Sequence, residues 1–187
     1  MEKAVHVFVF DGLADWEIGL VTYDLKTANG KTLHTFSMSA ETIVTGGGLR
    51  VIPDKTIADI CEDEVSMLIL PGGSMWETND PEPILALVNR LLQKGIPVAA
   101  ICGATLFLAR HGVLNERKHT SNGLAYLQEG APDYIGEALY EEVPVVITEG
   151  LITASGRYPI EFAHAIVKRL AIYDEQTLDA FLQFWRV

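Results

Sequence analysis

The residue in this sequence best placed for covalent chemistry is Cys102, which follows Ala99-Ala100-Ile101 and precedes Gly103-Ala104. An apolar, strand-like run that gives way to a helix within one residue, with small neighbours, has the pattern of a nucleophile elbow: the backbone turns abruptly and pushes one reactive side chain into the open. A thiol at a helix N-terminus faces unpaired N–H groups and the positive end of the helix dipole, which lower a cysteine pKa from about 8.5 toward roughly 4 to 7. A nucleophile or an oxidation-sensitive thiolate is therefore expected at Cys102. The competing reading is a buried cysteine acting as a small hydrophobe. Cys61, just before Glu62-Asp63-Glu64, lacks this setting and is expected to be inert.

The remaining chemistry-bearing residues form no such pattern. His6 and His34 fall in strands, His111 at a helix end, and His164 on a terminal helix among Phe162 and Ile166. His119 is expected in a surface loop from which it could swing toward the cysteine. No histidine pair has metal-ligand spacing, and the two cysteines lie in unlike contexts, so neither a metal, a cofactor nor a disulfide framework is expected. Arg157 could hold an anionic substrate above the sheet or make an ordinary surface pair. Trp76 would either wall a pocket or simply pack.

The elements that must position Cys102 are legible in the apolar periodicity. Val5 to Phe10 reads as a strand closed by Asp11-Gly12, followed by a helix through Trp16, Leu20 and Tyr23 that Asn29-Gly30 stops. Leu33 to Ser39 reads as a second strand, then the Gly46-Gly47-Gly48 turn and a short extended piece near Val51-Ile52. Val65 to Leu70 is continuously apolar, as in a strand buried on both faces, and Pro71-Gly72-Gly73 ends it. Asp80-Pro81 supplies an N-cap and a first-turn proline for a helix with Ile84, Leu87, Val88 and Leu91 on one face, closed by Gly95. Pro97 to Ile101 is the next buried strand and Ala104 to Arg110 the next helix. Val143 to Thr148 and Leu151 to Ala154 flank Glu149-Gly150 as a hairpin, and helices over Ile160 to Ala171 and Glu175 to Trp185 finish the chain.

Strands alternating with helices predict an α/β fold: a three-layer, doubly wound, mostly parallel sheet of flavodoxin-like type with a small β-hairpin, binding ligands beyond the carboxyl ends of its strands. The 187 residues suit a single domain over 1–187. A hydrophobic share of 49% with 21% charged residues is that of an ordinary globular protein, without an apolar run long enough for a membrane span. Met1-Glu2-Lys3 passes straight into strand-like sequence without signal-peptide features, so a cytoplasmic location is expected. Fourteen basic against 25 acidic residues give a net charge of −11, which repels nucleic-acid backbones.

Phe10-Asp11-Gly12 with Glu17, Leu70-Pro71-Gly72-Gly73 and Ala100-Ile101-Cys102-Gly103 resemble, in order and spacing, the ThiJ/PfpI superfamily, and the resemblance spans nearly the whole chain. It implies the class I glutamine amidotransferase-like fold, a small-molecule substrate and a tendency to form homodimers. By resemblance, Glu17 is the acidic residue that faces the cysteine, and Gly73 and Gly103 are the positions whose N–H groups would stabilise an oxyanion. A carboxyl and a thiol in contact titrate as a coupled pair, so Glu17 could act as general acid or base. Some members carry a histidine directly after the cysteine, where this chain has Gly103. Others carry one in a later loop, where Asn122 of Thr120-Ser121-Asn122 aligns. Amidotransferases carry a His-x-Glu pair near Ser155-Gly156-Arg157, which contains no histidine, so glutaminase activity is not expected. The leading expectation is a cysteine-dependent enzyme acting through Cys102 and Glu17 on a small electrophile, as a hydrolase, hydratase or glyoxalase-like catalyst. The alternatives are a redox-responsive stress protein that oxidises Cys102 and an inactive ligand-binding domain.

Overall fold

The structure is a computed structural model that describes residues 3–27 and 31–186. In chain order its elements are β1 (Ala4–Phe8), α1 (Asp15–Thr27), β2 (Leu33–Ser37), β3 (Ile43–Val44), β4 (Arg50–Val51), β5 (Lys55–Thr56), β6 (Val65–Leu70), α2 (Met75–Thr78), α3 (Glu82–Gln93), β7 (Val98–Ile101), α4 (Gly103–Arg110), α5 (Leu124–Gly130), β8 (Val145–Ile147), β9 (Leu151–Ala154), α6 (Pro159–Arg169) and α7 (Glu175–Trp185). Seven strands form one sheet in the order β5-β2-β1-β6-β7-β9-β8, parallel except for the antiparallel β8–β9 pair. β3 and β4 form a separate antiparallel hairpin.

The apolar runs become the middle of this sheet. All of β1 and β7, and β6 except Ser66, are buried because helices cover both faces, and each fully buried Val, Leu or Ile contributes roughly 1.5–3 kcal/mol. The chain leaves β1 toward β2 in one direction and β6 toward β7 in the other. Right-handed crossovers in opposite directions set α1 and α3 on opposite faces. The order therefore reverses between β1 and β6, and loops leaving the carboxyl ends of those strands open a crevice there.

Several expectations shift in detail. The first strand ends at Phe8 and the second at Ser37, while Val51 pairs with Ile43 in the small hairpin. The expected helix stop at Asn29-Gly30 lies outside the described residues. Asp80 does not cap α3; its carboxylate holds Arg110 at 2.9 Å and lies 3.5 Å from His111, and Pro81 takes the cap position. A tertiary ion pair thus replaces the local bond. Helix α5 and strand β5 were not anticipated, because each is short and makes its contacts with distant segments. The hairpin turn at Glu149-Gly150 is closed by Thr148 N–H donating to the Leu151 carbonyl at 2.8 Å. Among the described residues no helix is long and apolar enough to cross a membrane.

Candidate active site

β7 ends at Ile101 and α4 begins at Gly103, so Cys102 alone makes the turn. Its backbone lies at φ 58°, ψ −127°, a conformation that side-chain-bearing residues seldom adopt and that costs on the order of 1–3 kcal/mol. Bonds on both sides hold it. Cys102 N–H donates to the Ala154 carbonyl at 3.0 Å, while the Cys102 carbonyl accepts Thr105 N–H at 3.0 Å and Thr105 Oγ1 at 2.6 Å. The elbow anticipated from small neighbours is present, with Cys102 half-buried.

Glu17, in the first turn of α1, is 1% exposed. Gly72 N–H donates to its Oε2 at 2.7 Å. Its Oε1 has no hydrogen-bond partner among the described residues, and it shares with the Cys102 thiol the space beside Gly156. Two glycines make this approach feasible. A methyl group on Gly156 would stand 2.8 Å from Glu17 Oε1 and 2.9 Å from Cys102 Sγ, and one on Gly72 would stand 2.5 Å from Glu17 Oε2 and 2.6 Å from Cys102 Cβ. Neither position has room for a Cβ.

Burial raises the Glu17 carboxyl above the usual range, with the Gly72 N–H bond and the nearby Cys102 thiol pulling it partway back. Burial, reinforced by the neighbouring Glu17 charge, pushes the Cys102 thiol up to about 11. This reverses the depressed thiol pKa expected from the helix N-terminus. The Gly103 N–H and Asn122 do favour the thiolate, but burial and the Glu17 charge outweigh them. The two groups therefore titrate as a coupled pair in which a charge on one disfavours a charge on the other.

Asn122, aligned with a histidine position, reaches the cysteine: its Nδ2 donates to Sγ at 3.2 Å. Gly156 N–H donates to Asn122 Oδ1 at 2.9 Å and Ser155 Oγ lies 3.4 Å from it, which fixes the amide with its N–H side toward sulfur. Hydroxyl bonds pin the loop. Ser121 Oγ pairs with Thr105 Oγ1 at 2.6 Å, Thr153 Oγ1 accepts Thr120 N–H at 2.9 Å, and Thr120 Oγ1 donates to the Val143 carbonyl at 2.8 Å. Since the Asn122 bond favours the thiolate, Asn122→Ala is expected to raise the apparent thiol pKa further and slow Cys102 alkylation several-fold at pH 8. A pH–rate profile with iodoacetamide checks it.

His119 is neither a surface residue nor a partner of the cysteine. It is 0% exposed, with Nδ1 2.6 Å from the Arg117 carbonyl and Nε2 2.6 Å from Tyr134 Oη. A carbonyl only accepts, so Nδ1 carries the proton and Nε2 accepts from the phenol. Burial depresses its pKa and keeps the ring neutral. Trp76 is fully buried, stacked among Phe8, Phe10 and Phe107, with Nε1 donating to the Pro71 carbonyl at 2.7 Å. It anchors the loop that carries the Gly72 N–H rather than walling a pocket.

Gly73 follows Gly72 on that loop, and a Cβ on Gly103 would stand 3.0 Å from the Gly73 carbonyl, so the two expected oxyanion positions are neighbours. Arg157 is exposed beside Gly156 and lines a cleft with Asn122. His164 lies on α6 against Phe181, away from these groups. Residues that the sequence did not single out are Gly72, Thr105, Ser121, Ser155, Gly156 and the α5 residue Tyr126, whose phenol the nearby Cys102 charge helps burial to raise to about 12. The Thr-Ser pair before Asn122 and the glycine before Arg157 were the available signals. Among the described residues no three His, Cys, Asp or Glu side chains gather as a metal site would require.

Residues 3–169 match the family model described as DJ-1/PfpI family. The Bacillus subtilis (strain 168) protein named Uncharacterized protease YoaZ is 40% identical over 183 residues, covering 94% of this chain and 87% of its own length. The Caenorhabditis elegans protein named Glutathione-independent glyoxalase DJR-1.2 is 26% identical over 162 residues, covering 81% of this chain and 80% of its own. The crystal structure of the thiJ/pfpI family protein from Bacillus anthracis superposes with a TM-score of 0.92 at 35% identity, covering 100% of this chain and 92% of that one.

Proposed function

The chain belongs to the DJ-1/PfpI family, and from that premise we propose that it is a cysteine-dependent enzyme that adds Cys102 to the carbonyl carbon of a small electrophile, with Glu17 carrying the proton. The observation that supports this reading best is the buried Glu17 Oε1, which has no hydrogen-bond partner among the described residues and shares the space beside Gly156 with the Cys102 thiol. As sulfur attacks, the S–H proton passes to Glu17, so a free dianionic site never forms. The carbonyl π electrons become an alkoxide, for which the N–H groups of Gly73 and Gly103 are the proposed donors. Glu17 then returns the proton to that oxygen. Raised basicity of a buried carboxylate suits it to both transfers.

The relative named a glyoxalase favours a 2-oxoaldehyde as the first substrate to test. In a Cys61→Ser background, the protein should consume methylglyoxal and Cys102→Ala should not. Consumption that survives the Cys102 change would overturn the reading. The redox alternative gains one observation: Cys61 is exposed and lies elsewhere, leaving Cys102 without a resolving thiol. A thiol raised to about 11 oxidises slowly, however, so Cys102 should resist mild peroxide at pH 7.5, as followed by intact mass.

We propose further that the working form is a homodimer joined through α1. The outward face of this helix carries Trp16 and Tyr23, each 62% exposed, with Gly19 and the half-buried Leu20 between them and Trp185 alongside. A mid-helix glycine costs about 0.5–1 kcal/mol relative to alanine, and nothing in this chain lies within 4 Å of where its Cβ would be. A two-fold crossing at Gly19 would set Trp16 of one copy near Tyr23 of its partner and bring two chains of net charge −11 together on an uncharged strip. Trp16→Arg should convert a sedimenting dimer to monomer; an unchanged sedimentation coefficient would exclude this face.

A further inference from the structure

Beside the reactive pair lies a cleft of about 120 Å³ whose walls include Ser121, Asn122, Ser155, Arg157 and Tyr158. Asn122 is the link: one of its amide hydrogens is directed at Cys102 Sγ, and the residue also lines the cleft. Gly156, which sits against Sγ, is followed directly by Arg157. The other arginines near the surface are mostly committed. Arg90, Arg110 and Arg186 hold carboxylates, and Arg117 and Arg169 hold backbone carbonyls. Arg157 has a backbone N–H bond to Ser155 Oγ at 3.4 Å, but its guanidinium holds no partner among the described residues.

We propose that this cleft is a carboxylate-binding subsite and that Cys102 attacks a small 2-oxo acid or comparable anionic carbonyl compound in preference to a neutral 2-oxoaldehyde; the proposal rests on the Cys102 reading above and specifies its preferred substrate class. The volume has room for a carboxylate and one or two further atoms. A planar guanidinium matches the two carboxylate oxygens, and the Ser121 and Ser155 hydroxyls on the same wall could add donors once they turn from their present partners. Glu142 also borders the cleft and, after burial, adds to the raised pKa of the nearby Tyr140 phenol. On a chain of net charge −11, an uncommitted arginine in the cleft that Asn122 shares supplies the attraction that an anionic substrate otherwise lacks. Addition forms the S–C bond, moves the carbonyl π pair to oxygen and passes the thiol proton through Glu17 to that oxygen, giving a hemithioketal or hemithioacetal with no change in oxidation state.

The test compares two alkylating reagents of nearly equal size, iodoacetate and iodoacetamide, on Cys102 in a Cys61→Ser background. In both, sulfur displaces iodide and the thiol proton leaves. The iodoacetate to iodoacetamide rate ratio should fall about tenfold or more in Arg157→Gln and recover in part in Arg157→Lys. Lys26→Gln, at the far end of α1, makes the same change in net charge and should leave the ratio within about twofold. An unchanged ratio in Arg157→Gln, or an equal fall in Lys26→Gln, would overturn the subsite. Titration of the Cys102→Ser protein with pyruvate, followed by NMR, reads the cleft without any reaction: Arg157→Gln in that background should weaken binding about tenfold, and binding that ignores Arg157 would overturn the proposal. Should Cys102 react with neither reagent while pyruvate binding still depends on Arg157, the nucleophile reading fails and the subsite stands.

Discussion

Glu17→Gln is expected to make the Cys102 thiol more acidic while abolishing most of the turnover. At pH 9 a thiol of pKa about 11 is roughly 1% thiolate. Glutamine removes the carboxylate charge that helps hold the thiol pKa up. Its carbonyl can keep the Gly72 N–H bond, which would place its NH2 group toward sulfur as a donor to the thiolate. Both effects lower the thiol pKa, although burial, the first cause of the raised value, remains. Alkylation by iodoacetamide at pH 9 should therefore accelerate several-fold or more, and peroxide oxidation should accelerate with it. Turnover of a carbonyl substrate should instead fall by about 10²–10⁴, because an amide cannot take the proton from sulfur and return it to the alkoxide. Measuring both quantities on one variant separates nucleophile acidity from proton transfer. Loss of alkylation together with turnover would mean that Glu17 serves to generate the thiolate, and the shared-proton mechanism would be wrong.

Gly156→Ala should disable the site by geometry alone. Its methyl would need to occupy space 2.8 Å from Glu17 Oε1 and 2.9 Å from Sγ. Neither neighbour can yield easily: the carboxylate is tied to Gly72 N–H, and Cys102 is held at the elbow by Ala154 and Thr105. Gly156 N–H also orients the Asn122 amide, so any backbone shift there would be passed to the group that donates to sulfur. Turnover is expected to drop at least about 100-fold, the cost of misplacing reacting groups by an ångström. Overpacking should cost about 1–3 kcal/mol, which lowers the melting temperature of a domain this size by several degrees. Gly150→Ala is the control, since its methyl would meet only Leu92 Cδ2 at 3.4 Å. Near-normal turnover in Gly156→Ala would show that sulfur and carboxylate separate freely and that their observed proximity is not needed for the reaction.

The sequence alone determined the features that rest on neighbouring residues. Strand order along the chain, the buried apolar runs Val65–Leu70 and Val98–Ile101, and the elbow at Cys102 all follow from hydrophobic period and from small residues at one turn. The motifs around Glu17, Gly73 and Cys102 placed those residues in a family pattern, and the tertiary structure adds the Gly72 N–H that holds the Glu17 carboxylate near Cys102. What the tertiary structure decided is how the site is charged and wired. The thiol pKa moves up instead of down because burial and the Glu17 carboxylate act through space across α1, the loop after β6 and the elbow, and they outweigh the local helix-terminus effect that the sequence displays. His119 turned inward because Tyr134 and the Arg117 carbonyl satisfy both ring nitrogens. Asn122 gained its place at the sulfur through hydroxyl bonds to Thr105, Thr153 and Val143, on segments remote in sequence. Local pattern specifies where the backbone turns and which side chain is presented there; burial and cross-chain hydrogen bonds, which depend on every element at once, determine where the proton resides.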